Sequence, residues 1–277
     1  MKLRLLTLLL AIAYAGGAQA QQNSVPSCYA ANVMEVKIPV PKRAVFLMID
    51  ETTLFNNGLR AAAWEAVTPL LQPGTSLTVV RFSAFSQSRY TSTSFSGLQE
   101  EGIPESARHA ISVKKLKSFD ECLKGQQSFV RGRLQAVMIE AFNKGSADLA
   151  KSDVVAAMKD ISVAMKATPG VDKILFVMSD MLENSSISSF YEAKGVRKID
   201  PKAEIEKVKK VEMLGDYGGA RVWIMGAGLV SEEGSNKGVY RDPIRLNALN
   251  AFWTDYFKKS NATLVEFGTP ELKQVIR

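Results

Sequence analysis

The 277-residue chain has one histidine, His109, and two cysteines, Cys28 and Cys122. A single histidine leaves a Ser-His-Asp or Cys-His system no choice of base. His109 stands beside Arg108 in a stretch without clear periodicity, and no Gly-x-Ser-x-Gly elbow occurs. Hydrolysis of that type is not expected, and His109 reads as an exposed loop residue. Cysteines so far apart cannot form a local zinc knuckle. Beyond the first 20 residues no apolar run is long enough to cross a bilayer. Internal repeats and low-complexity tracts are missing too. Basic residues are scattered among acids, as in Glu204 to Lys210, and form no stripe with aromatic platforms. A nucleic-acid partner is therefore not expected.

What is present begins with an export signal. Lys2 and Arg4 precede an apolar run from Leu5 to Ala15, and Ala18-Gln19-Ala20 offers small residues for cleavage. Residues 1–20 read as a signal peptide and 21–43 as an N-terminal extension, with the mature chain starting near Gln21. A lipid anchor on Cys28 is the alternative, but Val25-Pro26-Ser27-Cys28 is a poor lipobox. The location expected is periplasmic or secreted. There an even cysteine count favours a Cys28–Cys122 disulfide over two free thiols. Removing Lys2 and Arg4 lowers the net charge from +7 to +5, a mild basic bias. A composition of 46% hydrophobic and 23% charged residues suits a globular domain with a true core.

Four apolar runs punctuate the chain: Ala44–Ile49, Leu77–Phe82, Ile174–Met178 and Arg221–Met225. Three are nearly continuous rather than alternating, as in strands buried on both faces. Ala262–Phe267 reads as a fifth strand, and Arg89–Phe95 as a polar edge strand hairpinned to the second run. Helical spacing covers Leu59–Leu70, Val130–Phe142, Val155–Met165 behind a Ser152 cap, a segment from Pro201 to about Gly215, and Leu246–Phe257. Pro73-Gly74 and Pro169-Gly170 break two of these. Residues 100–125 read as an insertion. Strands alternating with helices predict an α/β fold: a doubly wound, mostly parallel sheet with helices on both faces and one antiparallel edge strand, over residues 44–277. Trp64, Trp223 and Trp253 are expected in its core.

In such sheets sites form beyond the carboxyl ends of the strands. Two runs end there in aspartate. Asp50 is followed by Glu51-Thr52-Thr53, and Ser179-Asp180 by a hydroxyl-rich segment. If these strands are neighbours, the two carboxylates converge among hydroxyls. That donor set suits Mg²⁺, Mn²⁺ or Ca²⁺. The alternative is that each aspartate only caps the turn after its strand. Gly226-Ala227-Gly228 lacks the third glycine of a dinucleotide loop and reads as a tight turn.

The order of these features resembles a von Willebrand factor type A domain. The likeness runs from about Ala44 to Phe267. The resemblance implies a metal-ion-dependent adhesion site built from an Asp-x-Ser-x-Ser loop, a threonine and a second aspartate. Asp50 and Asp180 match the aspartates, Thr52 stands at the first serine, and Ser152 stands for the threonine. Leu54 falls at the second serine and cannot ligate, so the site is degenerate. It also implies a non-enzymatic role, binding another exported or envelope protein through this rim. Asp50-x-Thr52 also resembles the start of a haloacid dehalogenase-type phosphatase, with Asp50 as nucleophile, Mg²⁺ on the phosphate and Ser179 in the second motif. Thr52 then stands where a general acid is needed. Between Met181 and Tyr191, Glu183, Phe190 and Tyr191 are expected on the partner-binding surface, the alternative being a well-packed loop with both aromatics tucked beneath it.

Overall fold

The computed structural model describes residues 23–86, 89–145, 152–168, 172–192, 195–229 and 242–277. The segment expected to be a signal peptide and the Pro169-Gly170 break lie outside them. In chain order the elements are α1 (Cys28–Ala31), β1 (Arg43–Asp50), α2 (Asn57–Val67), β2 (Thr75–Ser86), β3 (Arg89–Gln99), α3 (Glu105–Arg108), α4 (Val113–Lys144) and α5 (Val154–Ala167). Then follow β4 (Asp172–Met178), β5 (Tyr191–Glu192), β6 (Gly195–Val196), α6 (Pro201–Lys210), β7 (Ala220–Met225), α7 (Pro243–Lys259) and β8 (Ala262–Phe267).

Six strands form one sheet in the order β3-β2-β1-β4-β7-β8. Only β2 and β3 pair antiparallel; the other four pairings are parallel. The run Ala44–Ile49 explains the arrangement. All six of its side chains are buried. They alternate between faces: Phe46 and Met48 meet α5, α6 and α7, while Val45, Leu47 and Ile49 meet α2 and α4. Full burial of each larger apolar side chain is worth roughly 1.5–3 kcal/mol. A charge at any of these positions would remove that gain and strand itself between two layers. The predicted three-layer α/β sandwich is therefore the fold.

Helix α4 departs from expectation. The period was legible only over Val130–Phe142, yet the helix begins at Val113 behind a Ser112 cap. Its second half lays Val130, Leu134, Val137, Met138 and Ala141 on the sheet. In its first half the buried side chains are only Phe119 and Gln126, so no apolar stripe announces it. That half carries Cys122, bonded to Cys28 with their Cα atoms 5.7 Å apart. The pairing leaves no Cys28 thiol for a lipid anchor. Cys28, Tyr29, Ile103 and Phe119 make a small separate core. Buried Glu100 accepts from Ser27 Oγ at 2.6 Å and Cys28 N at 2.7 Å. Just before this staple Ser24 N bonds Ser96 O on β3, and Val25 packs against Gly97, where a Cβ would lie 2.2 Å from Val25 Cγ2.

At the sheet's amino end Asp172 takes Arg43 Nε and Arg221 Nη2, each at 2.7 Å. Burial pushes this carboxyl up, but the two guanidinium bonds outweigh it and hold it below the usual range. Trp223 and Trp253 are buried as expected, whereas Trp64 is half-buried beneath Arg131. His109 is exposed just after α3. No described helix is long and apolar enough to cross a membrane.

Candidate functional site

The chain enters the sheet at β1, winds outward to β2 and β3, then returns on the other side of β1 as β4. The point between β1 and β4 is where the winding reverses, and ligand crevices form there. Asp50 is the last residue of β1, and Ser179-Asp180 follow β4 directly. Parallel pairing of Ile49 with Met178 sets these ends side by side. The aspartates do converge, as the sequence predicted.

The loops that carry them are held by short-range bonds. Asp50 Oδ1 accepts from Thr52 N at 2.8 Å and Thr52 Oγ1 at 2.6 Å, while Oδ2 accepts from Ser179 Oγ at 2.6 Å. Asp180 N donates to Thr53 Oγ1 at 3.0 Å, which joins the β1 loop to the β4 loop. Asp180 Oδ1 accepts from Leu182 N at 2.9 Å and Oδ2 from Tyr191 Oη at 2.8 Å. Both carboxylates therefore also cap their own turns, as the alternative reading held. Met181 sits in the left-handed region at φ 59°. That conformation costs on the order of 1 kcal/mol for a residue with a Cβ. Trp253 Nε1 steadies it by donating to Met181 O at 2.9 Å. Gly226, at φ 95°, lets the turn after β7 close against the site; a Cβ there would lie 3.1 Å from Ser179 O.

The electrostatics are unfavourable as the residues stand. Asp50 is 1% exposed and Asp180 4%. Burial, then the neighbouring Asp50, pushes the Asp180 carboxyl up to about 8. Asp50 is raised as well, chiefly by burial, against the hydroxyl bonds that favour its charge. Two adjacent buried carboxylates cannot both ionise without a compensating charge. A proton or a cation is what such a pair holds.

Other predicted residues are placed differently. Ser152 is not the cap of α5; that position is Asp153. Ser152 forms a bridge with Asn184, and its Oγ is buried without a hydrogen-bond partner. Glu183 is buried rather than on a contact surface, because its Oε2 accepts Val155 N at 2.8 Å and supplies the charge at the α5 amino end. Burial pushes its carboxyl up to about 7. Phe190 is 1% exposed and packs edge-on against Phe252, so it is core and cannot meet a partner. Tyr191 alone of the three reaches the aspartate pair. Leu54, at the degenerate position, is 47% exposed on the rim.

Two site residues fall outside the expected metal ligands, although Ser179 figures in the phosphatase resemblance. Thr53 and Ser179 tie the two loops together, yet the Asp-x-Ser-x-Ser spacing directs attention to positions 52 and 54. Hydroxyls flanking an aspartate at a strand end were the available signal.

The fold is a doubly wound α/β sandwich around a six-stranded, mostly parallel sheet. No protein-family model matches the chain, and no curated protein does. Solved structures similar to it include an aerotolerance-related membrane protein from Bacteroides fragilis, at 15% identity and TM-score 0.37, covering 83% of this chain and 92% of that one. Another is the PilB minor pilin from Streptococcus sanguinis, at 11% and 0.43, covering 84% of this chain and 58% of that one. A third is BatB from Bacteroides thetaiotaomicron, at 13% and 0.32, covering 81% and 90%. Likenesses this distant carry no argument about partners or activity.

The donor set is entirely oxygen: two carboxylates with Thr52, Thr53 and Ser179 beside them. Thr52 and Ser179 give their protons to Asp50 and keep lone pairs. That chemistry fits a hard divalent cation, with waters completing its shell.

Proposed function

We propose that this chain is an exported, non-enzymatic binding or assembly protein that recognises another envelope or secreted protein through the carboxyl rim of its sheet. Asp50, Thr52, Thr53, Ser179 and Asp180 would hold Mg²⁺, Mn²⁺ or Ca²⁺, and the cation would accept a carboxylate or other oxygen from the partner. The juxtaposition of two buried aspartates from neighbouring strands carries this reading. A fold stabilised by packing alone has no use for two charges in that place. The orphaned Ser152 Oγ near Asn184 supports a polar ligand in the same region. Export is supported by the Cys28–Cys122 bond.

The phosphatase reading needs Asp50 to attack a phosphorus atom. Its two oxygens accept three bonds and it is 1% exposed, which favours the binding role. Thermal melts of the mature chain in EDTA, Mg²⁺, Mn²⁺ and Ca²⁺ test the proposal. At a cation concentration 100 times its Kd, stability rises by about 2.7 kcal/mol. The rise should vanish in Asp50→Ala. Equal melting in all four conditions would remove the cation from the proposal, and turnover of a phosphate ester would restore the enzyme.

A further inference from the structure

Of the groups that would meet a ligand at this rim, both carboxylates and Ser179 are shut away, while Thr52 is only half-buried. Asp50 is 1% exposed, Asp180 4% and Ser179 not at all. A hydrated cation, or a partner's oxygen behind it, has no approach until something moves. Most groups touching the carboxylates cannot leave. Thr52, Ser179 and Leu182 bond them from the backbone stretches that leave β1 and β4, within two residues of an aspartate. Thr52 N and Leu182 N donate from the backbone, so displacing them requires the turns after β1 and β4 to open.

Tyr191 differs in each respect. It reaches Asp180 from eleven residues along the chain, through one side-chain bond of 2.8 Å. It is only half-buried, with its ring resting on the core layer and its hydroxyl on Asp180. Phe190 before it is bonded at both N and O, but the anchorage of Tyr191 itself is slight. The β5–β6 ladder is two residues long on each side, and Tyr191 N reaches Ser189 Oγ at 3.3 Å. Its neighbour Glu192 is held by an ion pair with half-exposed partners, to Arg245 of α7. Short ladders and exposed pairs of this kind open at low free-energy cost.

We propose that Tyr191 is an intramolecular latch on the aspartate pair. This rests on the cation reading above. The phenol occupies Asp180 Oδ2, an acceptor that a ligand would need. In this closed form it supplies a donor to Asp180 Oδ2 in place of an external ligand. Rotation of the one side chain uncovers Oδ2 while Thr52 and Ser179 continue to hold Asp50. The rim is thus self-occupied until a cation, alone or with a partner, outcompetes the tyrosine. Apparent affinity is lowered by the fraction of closed molecules.

The test is calorimetric titration of the mature wild-type chain, Tyr191→Phe, Tyr191→Ser and Asp50→Ala with MnCl₂. Thermal melts would establish that each variant is folded. Tyr191→Ser removes ring and latch, and should bind Mn²⁺ roughly tenfold or more tightly than wild type, a change of about 1.4 kcal/mol. Tyr191→Phe keeps the ring and loses the bond, and should show a smaller gain. Equal or weaker binding by both tyrosine variants, with wild type still binding, would overturn the latch and leave the cation site standing. No heat from any of the four would sink the cation reading, and the latch with it.

Discussion

At the residue scale, the aspartate pair ties pH to stability. An acid whose folded pKa lies above its unfolded value binds its proton more tightly in the native state. Stability is then fully present below the unfolded pKa and falls as pH rises towards the folded one. For Asp180 that window runs from an unfolded value near 3.9 to about 8. Glu183, raised by burial to about 7, adds in the same direction. The metal-free chain should therefore melt highest in mild acid and lose several degrees by pH 8. Asp180→Asn keeps an oxygen for Leu182 N and removes one buried charge. In EDTA at pH 8 it should melt on the order of 5 °C above wild type, since 1 kcal/mol corresponds to ~2–4 °C in a domain of this size. At pH 5 the gap should narrow, and it should close only below the unfolded value near 3.9. Calorimetry across that range checks it. A wild type whose melting temperature climbs between pH 5 and 8 in EDTA would show that the pair is ionised and compensated by something other than a proton.

Among the elements, the N-terminal arm is the piece held by a staple more than by packing. Residues 23–34 contribute few side chains to any core: Val25 to the sheet layer, Cys28 and Tyr29 to the small cluster. The Cys28–Cys122 loop spans 94 residues. In the chain-entropy model, closing a loop of that length constrains the unfolded state by about 4–5 kcal/mol. Replacing both cysteines with serine should lower the melting temperature by roughly 10 °C or more. It should also release the arm first, because the strands of the central sheet keep all their contacts. Amide exchange would rise in residues 23–34 while β1 and β4 stay protected. Uniform loss of protection would show instead that arm and sheet unfold as one unit. The elements also show what sequence patterns can reveal. Strands β1, β4 and β7 were legible because burial on both faces leaves unbroken apolar runs. The first half of α4 was not, since it packs through Phe119 and a disulfide that is distant in sequence. Asp50 and Asp180 could be read from strand ends. Phe190 could not be told from a surface aromatic, because its partner Phe252 lies 62 residues on and nothing local marks the contact.

Over the whole molecule, the staple and the site belong to different ends. Helix α4 has 32 residues and is ~48 Å long at 1.5 Å per residue. Its last residues reach the carboxyl rim, where Gly145 approaches Thr53 O, while its first half carries Cys122 beside Glu100, just past the amino end of the sheet. The rigid central strands lie between. Interactions separated by this distance, with no shared partner, add in their effects on stability. The stabilisation by Mn²⁺ should therefore be the same, within about 0.5 kcal/mol, in wild type and in the Cys28→Ser, Cys122→Ser double variant. Asp50→Ala should abolish the cation increment while leaving the loss on disulfide reduction unchanged. A cycle of four melts, with and without each change, measures both. An increment that shrinks when the disulfide is removed would mean that α4 transmits strain along its length. The arm would then be a control element for the rim, and the separation into a stapled end and a binding end would be wrong.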